Sequence, residues 1–300
     1  MKASLVIPTH NCWNLVDNCL LSLRHVRVPA GDELEVVVVD DGSTDATADT
    51  VRAHLGLVPG LRYLFLPRSE SSSRSSARNA GARAATGELL IFLDGDQIVS
   101  PDFVERHLDA HRADDSAAVI GFRKYLKPGP SDVDAYCRSG DESYLAPITS
   151  DDMRLDLLDR LAYLPGQPAT AWHLFFSCNI SVRRTVFWAV GGGSEEFTGW
   201  GLEDSELGYR LSRHGCRFVL DRDGRVYHQG SEREPETDIY QGWLRNLETF
   251  MRLHDHAPDV VLQKVLAPFF DPARRGDWID CYERFELAVR ATQGLPTAPA

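Results

Sequence analysis

Short apolar runs alternate with longer mixed segments through the first part of the chain. Five of these runs have the length of a strand, at residues 4–9, 34–41, 61–66, 88–93 and 117–122. Their side chains are apolar with little alternation, which is typical of strands that are covered on both faces. The segments between the runs are long enough for one helix each. The pattern therefore predicts an α/β fold built on a parallel sheet with helices on both sides.

The regular alternation ends after the fifth run. Residues 123–170 are rich in Pro, Asp and Tyr and carry an acidic helical stretch. We interpret them as an insertion, because apolar strand patterning resumes at residues 174–182. The pattern then predicts a helix over residues 203–214 and two short strands about an Asp-Gly turn within residues 216–230.

The last part of the chain, residues 236–300, has helical periodicity. Trp243, Leu247, Phe250 and Leu253 are spaced to share one helix face. This predicts a helical C-terminal extension whose apolar face covers the functional site or contacts another subunit. A possible homodimer through the C-terminal helices follows from the second alternative.

Composition excludes several classes of partner. The chain has 32 Lys and Arg against 44 Asp and Glu, a formal net charge of −12, and no cluster of basic residues, so we expect no nucleic-acid partner. Its 6 cysteines show no C-x-x-C spacing, which indicates buried thiols in a reducing compartment and predicts a cytoplasmic location. Nowhere do 18 apolar residues follow one another, so we expect no integral membrane segment.

Carboxylates follow the second and fourth strand runs. In open α/β sheets ligands bind beyond the carboxyl ends of the strands, so Asp40, Asp41, Asp94 and Asp96 are expected to converge at one edge. Taken alone, Asp40 and Asp41 are typical of a helix cap and turn. Four carboxylates together repel one another unless a cation offsets their charge, and hard oxygen ligands favour Mg²⁺ or Mn²⁺. Such metals usually accompany a phosphorylated substrate.

Other polar residues are given structural interpretations. His107 and His111 stand four residues apart on a helix that we expect at the surface, and we do not interpret them as metal ligands. Glu206 and Arg210 are expected to form an ion pair one helical turn apart. The sequence contains no G-x-S-x-G elbow, which excludes the usual nucleophile arrangement of α/β hydrolases.

Four segments of the chain resemble the successive motifs of the family 2 glycosyltransferases. They are VIPTHN, VVVVDDGSTDAT, ARNAGARAATGELLIFLDGD and GWGLEDSELGYRL, in the order of the family. The last is most similar to the galactosyl- and N-acetylgalactosaminyl-transferring branch and to chondroitin-polymerase modules. The resemblance covers roughly residues 3–230. It implies the glycosyltransferase-A fold, in which a Rossmann-like, mixed, mostly parallel sheet is flanked by helices.

The resemblance also implies a division of the chain into domains. A catalytic domain would span residues 1–235, followed by the helical extension at residues 236–300. Within the catalytic domain, a nucleotide-sugar-binding half at 1–122 and an acceptor and catalytic half at 171–235 would flank the insertion at 123–170. The insertion and the extension match none of the family's motifs, which leaves the acceptor open.

In the family, the donor nucleotide lies along the ends of the first strands. The resemblance assigns the nucleobase to Asp40, with Asp41 beside it. The other donor-binding residues that it implies are Pro8, Thr9, Asn11, Arg78, Asn79, Asp94 and Gly95. Arg78 could instead be a buried partner for Asp94, and that alternative stays open.

The D-x-D pair implies a metal site. The resemblance assigns Asp94 and Asp96 to a divalent cation, Mn²⁺ or Mg²⁺, that bridges the diphosphate, while Gly95 leaves room for close approach. It adds His228, which follows a short strand, as a further ligand. A neutral imidazole favours Mn²⁺ over Mg²⁺.

The fourth motif implies the acceptor side. A sugar hydroxyl needs a base that takes its proton, and position in the family assigns that role to Asp204, with Glu203 oriented toward acceptor hydroxyls. Trp200, on a flexible turn beside Gly201, offers a flat ring to a sugar face. The alternative is that both carboxylates only favour the positive end of the following helix, an effect of about 0.3–1 kcal/mol.

Together these residues predict a metal-dependent, inverting glycosyltransferase that moves a hexose or N-acetylhexosamine from a UDP-sugar to an acceptor hydroxyl. A nucleotidyltransferase is one alternative, although it would be expected to carry a Gly-rich, basic loop after the first strand. A non-catalytic nucleotide-sugar-binding module is another, although it would have no use for Glu203 and Asp204. The acceptor, whether a small molecule, a glycan or a peptide, is unknown.

Overall fold

Strands and helices alternate along the first part of the chain, as the apolar pattern predicts. The structure, a computed structural model, describes residues 1–69, 72–126, 130–145, 149–230 and 235–298. Its strands are β1 (Lys2–Thr9), β2 (Glu33–Asp40), β3 (Leu61–Phe65), β4 (Leu89–Leu93), β5 (Gln97–Val99), β6 (Ala117–Gly121), β7 (Lys124–Leu126), β8 (Thr149–Ser150), β9 (Asn179–Arg183), β10 (Arg217–Asp221) and β11 (Val226–His228). Its α-helices are α1 (Trp13–Leu23), α2 (Thr47–Ala53), α3 (Arg74–Ala84), α4 (Phe103–Ala113), α5 (Pro130–Ser139), α6 (Met153–Arg160), α7 (Arg184–Ala189), α8 (Glu203–Arg213), α9 (Glu236–Leu253), α10 (Pro258–Val261), α11 (Ala267–Phe270) and α12 (Trp278–Thr292).

The main sheet has seven strands in the order β10-β6-β9-β4-β1-β2-β3. Strand β9 runs antiparallel to its neighbours β4 and β6, whereas the pairs β1–β2, β1–β4, β2–β3 and β6–β10 are parallel. The prediction of a mixed, mostly parallel sheet is therefore confirmed.

The register of the central strands brings their carboxyl ends level. Thr9 at the end of β1 pairs with Asp40 at the end of β2, and Val6 pairs with Phe92 of β4. Asp94 therefore follows β4 beside the end of β1. The strand-end carboxylates accordingly meet at one edge of the sheet, as is usual for ligand sites in open α/β folds.

Both faces of the sheet are covered by helices. Along β1, Leu5 and Ile7 belong to the core beneath α1, α2 and α4, while Val6 between them belongs to the larger core on the other face. This split follows from the alternation of side chains along a strand. Because each face is buried, the strands are apolar at successive positions, which is the pattern that the sequence shows.

The C-terminal helices complete the larger core. Trp243, Leu247 and Phe250 of α9 are buried there together with Phe285 of α12, so the predicted helical extension is confirmed. Burying a large apolar side chain stabilises a fold by about 1.5–3 kcal/mol. The apolar face of α9 thus packs within its own chain. The homodimer and the division into domains stay predictions.

A second, smaller sheet has the order β5-β11-β7-β8. Strand β11 runs antiparallel to β5 and parallel to β7. The two strands predicted about the Asp-Gly turn therefore form no hairpin, because β10 joins the main sheet beside β6. The long-range partners bury Phe218 of β10 and Val226 of β11, and this burial outweighs the local turn signal.

Two further predictions need correction. The strand expected at residues 174–182 begins only at Asn179, because residues 171–174 form a 3₁₀ turn buried in the core. His107 and His111 are buried rather than at the surface. Both hydrogen-bond to the hydroxyl of Ser181, at 2.8 and 2.9 Å. Burial lowers the pKa of His107 to about 4 and that of His111 to about 3, so both stay neutral.

None of the helices in the described residues combines the length and the apolar character needed to cross a bilayer.

Candidate active site

The loops that follow β1 and β2 are joined by hydrogen bonds. The backbone N–H of Asn11 donates to the Ser43 hydroxyl at 2.9 Å, and the N–H of Thr44 donates to the Asn11 side chain at 2.8 Å. The N–H of Asp41 donates to the carbonyl of Thr9 at 2.9 Å. The segment that carries Pro8, Thr9 and Asn11 is therefore fixed against the segment that carries Asp40 and Asp41.

Asp40 and Asp41 have different environments. The Asp40 carboxylate is fully buried and accepts hydrogen bonds from the N–H of Ser43 at 2.8 Å and the hydroxyl of Tyr63 at 2.6 Å. Asp41 is partly exposed and lies 3.5 Å from Arg68. Asp40 thus holds the turn, as the structural alternative predicted, and the nucleobase role stays a prediction.

Arg78 of α3 lies between two groups of carboxylates. Its guanidinium donates to Asp94 at 2.6 Å, which is the partner that the open alternative named. Burial would lower the pKa of Arg78, but the charges of Asp94, Glu203 and Asp204 raise it above its ordinary value. Arg78 is therefore a fixed positive charge between the D-x-D turn and the start of α8.

Residues 177 and 178 also connect these two regions. The N–H of Asp94 donates to the carbonyl of Cys178 at 3.4 Å, and the N–H of Ser177 donates to the Asp204 carboxylate at 3.3 Å. Since Ser177 and Cys178 are consecutive, one short piece of backbone contacts both Asp94 and Asp204. The predicted donor side and the predicted acceptor side thus meet in one site.

Asp96 and His228 are brought together by the smaller sheet. His228 at the end of β11 pairs with Gln97 of β5, and its ring nitrogen Nε2 lies 3.3 Å from Asp96. Gln97 donates to the other carboxylate oxygen at 2.7 Å. Burial raises the pKa of Asp96, but the contacts with His228 and Gln97 and the charge of Arg123 bring it below its ordinary value.

The carboxylate oxygens and the imidazole nitrogen at this site are atoms of the kind that bind a divalent cation. Asp96 and His228 are adjacent and partly exposed, and Asp94 begins the same turn as Asp96 but contacts Arg78. Among the described residues, no three His, Cys, Asp or Glu side chains are already spaced as a metal cluster. Gly95 packs the turn against β1, since a Cβ there would lie 3.2 Å from the carbonyl oxygen of Pro8.

Glu203 and Asp204 begin α8. Asp204 accepts from the N–H of Ser205 at 2.8 Å in addition to Ser177, whereas Oε2 of Glu203 is buried with no hydrogen-bond partner in the described part of the chain. Burial, and then the charge of Glu203, raise the pKa of Asp204 to about 7. A carboxyl group with this pKa exchanges a proton near neutral pH, as a general base must.

The C-terminal helices contact the loop that carries Trp200. Gly201 and Leu202 have φ values of 92° and 72°, and the left-handed region costs a non-glycine residue about 1–2 kcal/mol. The buried side chain of Asn246 donates to the carbonyls of Trp200 at 3.2 Å and Gly201 at 2.7 Å. The Trp200 ring lies against Phe270, 5.7 Å between centroids. The C-terminal helices therefore fix the predicted acceptor platform.

Two residues of the motifs contact neighbouring loops. Asn79 donates to the carbonyl of Gly193 at 2.8 Å and accepts from its N–H at 2.8 Å, so its side chain holds the Gly-rich turn. Its donor role stays a prediction. The predicted ion pair between Glu206 and Arg210 is confirmed at 2.6 Å, and His254 also contacts Glu206 at 2.9 Å.

Sequence reasoning missed three residues at this site. Ser177 and Asn246 position the start of α8 and the Trp200 loop, and Arg123 lies beside the Asp96–His228 pair. None of them belongs to a recognisable motif. Only the pairing of distant strands and helices brings them to the sheet edge.

Two family profiles match the chain. Residues 4–145 match glycosyl transferase family 2, and residues 166–229 match the N-terminal domain of galactosyltransferase. The first match contains the strand-end carboxylates of β2 and β4. The second contains Glu203, Asp204 and His228.

Curated relatives match most of this chain. It is 34% identical over 266 residues to validoxylamine A glucosyltransferase of Streptomyces hygroscopicus subsp. limoneus, covering 84% of this chain and 56% of that protein. It is 28% identical over 253 residues to chondroitin synthase of Escherichia coli, covering 80% of this chain and 36% of that protein. The chain thus spans little more than half the length of the first relative and about a third of the second.

Solved structures share the fold. TarS 1–349 of S. aureus in complex with UDP-GlcNAc has a TM-score of 0.60 at 17% identity, covering 98% of this chain and 93% of that chain. The mannosyltransferase PcManGT from Pyrobaculum calidifontis, in complex with GDP-Man and Mn²⁺, has a TM-score of 0.59 at 20% identity, covering 98% and 76%. The predicted glycosyltransferase-A fold is confirmed.

Proposed function

We propose that this chain, which carries a glycosyl transferase family 2 domain at residues 4–145, moves a hexose or N-acetylhexosamine from a UDP-sugar to an acceptor hydroxyl. The observation that carries the proposal is the position of Arg78 between Asp94 of the D-x-D turn and the Glu203–Asp204 pair. A diphosphate held at the D-x-D turn would present its sugar to that pair. The neighbour in complex with UDP-GlcNAc and the glucosyltransferase relative support this class of donor.

The transfer would proceed by a single displacement at the anomeric carbon. The acceptor oxygen attacks this carbon while Asp204 takes the hydroxyl proton, and the bond to the diphosphate oxygen breaks so that UDP leaves with the electron pair. Direct displacement inverts the anomeric configuration. Asp204 suits the role of base because its pKa of about 7 makes it a stronger base than an ordinary carboxylate while it is still ionised near neutral pH.

Asp96 and His228 would hold a divalent metal, with Asp94 as the further carboxylate. Oxygen and nitrogen donors together suit Mn²⁺. Mg²⁺ is the alternative if the carboxylate oxygens are the main protein ligands of the ion. When bound, the ion would supply positive charge to the departing diphosphate. The neighbour PcManGT, which is in complex with Mn²⁺, supports the choice of metal.

The donor nucleotide would lie along the backbone of Pro8, Thr9 and Asn11, with its base toward Asp40 and Asp41. We expect Asp40→Asn to weaken UDP binding about tenfold, because an amide cannot accept from both Ser43 and Tyr63 and a hydrogen bond to a charged group contributes about 1.5–3 kcal/mol. Calorimetry with UDP measures the change.

The control for this prediction is Tyr63→Phe, which removes one contact and leaves the carboxylate in place. Its effect on UDP affinity should be smaller than that of Asp40→Asn. Unchanged affinity in the Asp40 variant would remove this residue from the donor site.

Activity should rise with pH because the base must be ionised. The raised pKa of Asp204 places the half-maximal kcat/KM of the wild-type chain at about pH 7, with a fall of about tenfold per pH unit below that value. The measurement is kcat/KM for the donor between pH 5 and pH 9, with UDP affinity followed in parallel. A profile that is flat through pH 7 would contradict the assignment of Asp204.

Trp200, Gly201 and Glu203 would form the acceptor side. The Trp200 ring would give a sugar a flat face, and the Glu203 carboxylate, whose Oε2 has no partner among the described residues, would accept a hydrogen bond from an acceptor hydroxyl. The rigid hold of Asn246 on the loop would keep this surface in place before the acceptor arrives. The acceptor itself, a small molecule, a glycan or a peptide, is the part of the reaction that must be found by experiment.

A panel of nucleotide sugars tests the proposal. UDP-, GDP- and dTDP-sugars are incubated with the chain, with and without candidate acceptors, and released nucleoside diphosphate is measured. We expect release from a UDP-hexose or UDP-N-acetylhexosamine. Binding without turnover under every condition would favour a non-catalytic module, and release of pyrophosphate from a nucleoside triphosphate and a sugar phosphate would favour a nucleotidyltransferase.

A further inference from the structure

Arg123 lies at the same sheet edge but belongs to none of the motifs. It directly precedes β7, and its backbone N–H donates to Asp152 at 3.2 Å. The side chain is half-buried, with the guanidinium 5.1 Å from the centroid of the Tyr125 ring and Nε donating to the Tyr125 hydroxyl at 3.2 Å. Tyr125 therefore holds the guanidinium in one position.

Strand pairing directs this guanidinium toward the proposed metal ligands. Arg123 and Tyr125 are two residues apart and share one side of the strand, whereas Lys124 between them points to the other side. Tyr125 pairs with His228 in register, and the two rings lie 5.5 Å apart. His228 in turn lies 3.3 Å from Asp96. Arg123 is thus the end of a short row of side chains that leads to the D-x-D turn.

Arg123 differs from other arginines near this edge in its lack of a carboxylate partner. Arg68 lies 3.5 Å from Asp41, and Arg78 lies 2.6 Å from Asp94. For Arg123, the described residues provide no ion pair with a carboxylate. The charge of Asp152 acts on Arg123, but the Asp152 carboxylate is bound by Arg154 at 2.6 Å, so no carboxylate among the described residues contacts the half-buried guanidinium. The environment therefore favours an anion that is not part of the chain.

We propose that Arg123 is a further donor-binding residue, which contacts the diphosphate of the UDP-sugar. This inference rests on the proposed function. The planar fork of a guanidinium matches two phosphate oxygens at once. The diphosphate is favoured over a carboxylate on an acceptor because Arg123 is directed toward Asp96 and His228, where the proposed metal would hold the phosphates. Its charge also acts on Asp96 directly.

Calorimetry with three ligands tests the inference. UDP, UMP and uridine are titrated in Mn²⁺ against the wild-type chain, Arg123→Gln, Arg123→Lys and Lys124→Gln. We expect Arg123→Gln to weaken UDP binding about 10- to 100-fold, UMP binding less, and uridine binding not at all. Arg123→Lys should recover part of the loss. Lys124→Gln removes a neighbouring charge that pairs with Asp151 at 3.1 Å on the other side of the strand, and it should bind all three ligands normally.

Each other outcome has a definite meaning. If Arg123→Gln binds UDP like the wild-type chain, the inference is wrong, and an increase confined to the KM of the acceptor would assign Arg123 to an acceptor anion. If uridine binding falls as much as UDP binding, Arg123 has only a structural role. If the wild-type chain binds neither UDP nor uridine, the proposed function fails first and this inference fails with it.

Discussion

Replacing Asp204 with asparagine is expected to lower the rate of sugar transfer by roughly 10²- to 10⁴-fold, the usual contribution of a general base. Asparagine has the same shape but cannot take a proton. UDP and Mn²⁺ should bind the variant as they bind the wild-type chain, because Asp204 contacts the backbone of Ser177 and Ser205 and none of the proposed metal ligands. Steady-state rates and UDP calorimetry measure the two effects separately.

Glu203→Gln is the matched comparison for this variant. It neutralises the adjacent carboxylate, so the pKa of Asp204 should fall toward its ordinary value while the base itself stays in place. We expect a smaller loss of rate and a pH profile shifted to lower pH. Near-normal turnover in Asp204→Asn would show that Asp204 is not the general base, and Glu203 would be the next candidate for that role.

Removing the Asp96 carboxylate is expected to abolish most of the activity. A metal ion stabilises the charge that develops on a leaving diphosphate by several kcal/mol, so Asp96→Ala should lower the rate by about 10³-fold or more. Mn²⁺ binding, followed by electron paramagnetic resonance of the free ion in the presence of UDP, should weaken in parallel. The surface variant Asp109→Ala removes an exposed carboxylate on α4 and should leave both quantities unchanged.

The same experiment distinguishes the contributions of the individual metal ligands. His228→Ala should alter the preference for Mn²⁺ over Mg²⁺ more than Asp96→Ala does, because the imidazole nitrogen is the ligand that favours Mn²⁺. Full turnover of the wild-type chain in excess chelator would refute the metal site. If His228→Ala depends on Mn²⁺ as the wild-type chain does, His228 is not a metal ligand, and the assignment of the carboxylates is unaffected.

The central sheet could be predicted because its strands are buried on both faces. The runs that became β1, β2 and β4 are mainly apolar, and a polar residue ends or follows each of them at the sheet edge, namely Thr9, Asp40 and Asp94. The run at residues 174–182 has the same composition, but its first part packs into the core as a 3₁₀ turn. An apolar run indicates burial and does not distinguish a buried strand from a buried turn.

Long-range contacts explain the other differences. The Asp-Gly signal between β10 and β11 is local, whereas the partners of these strands, β6 and β5, lie far away in the sequence. His107 and His111 appear polar in the sequence, yet Ser181 on β9 satisfies both rings inside the core. The residues of the motifs could be found from the sequence, since their spacing is fixed. Arg123 could not, because its surroundings depend on the pairing of β7 with β11.

The central claim is that the two carboxylate pairs beside Arg78 form one reaction centre for a UDP-sugar. Proton NMR of the reaction mixture tests this claim most directly. The anomeric signals of donor and product are followed with the wild-type chain, Mn²⁺ and an acceptor from the panel. We predict that the signal of an α-linked UDP-sugar is replaced by that of a β-linked product, with one UDP released per sugar transferred. A product that retains the donor's configuration, or a donor signal that stays unchanged with every acceptor, would contradict the account.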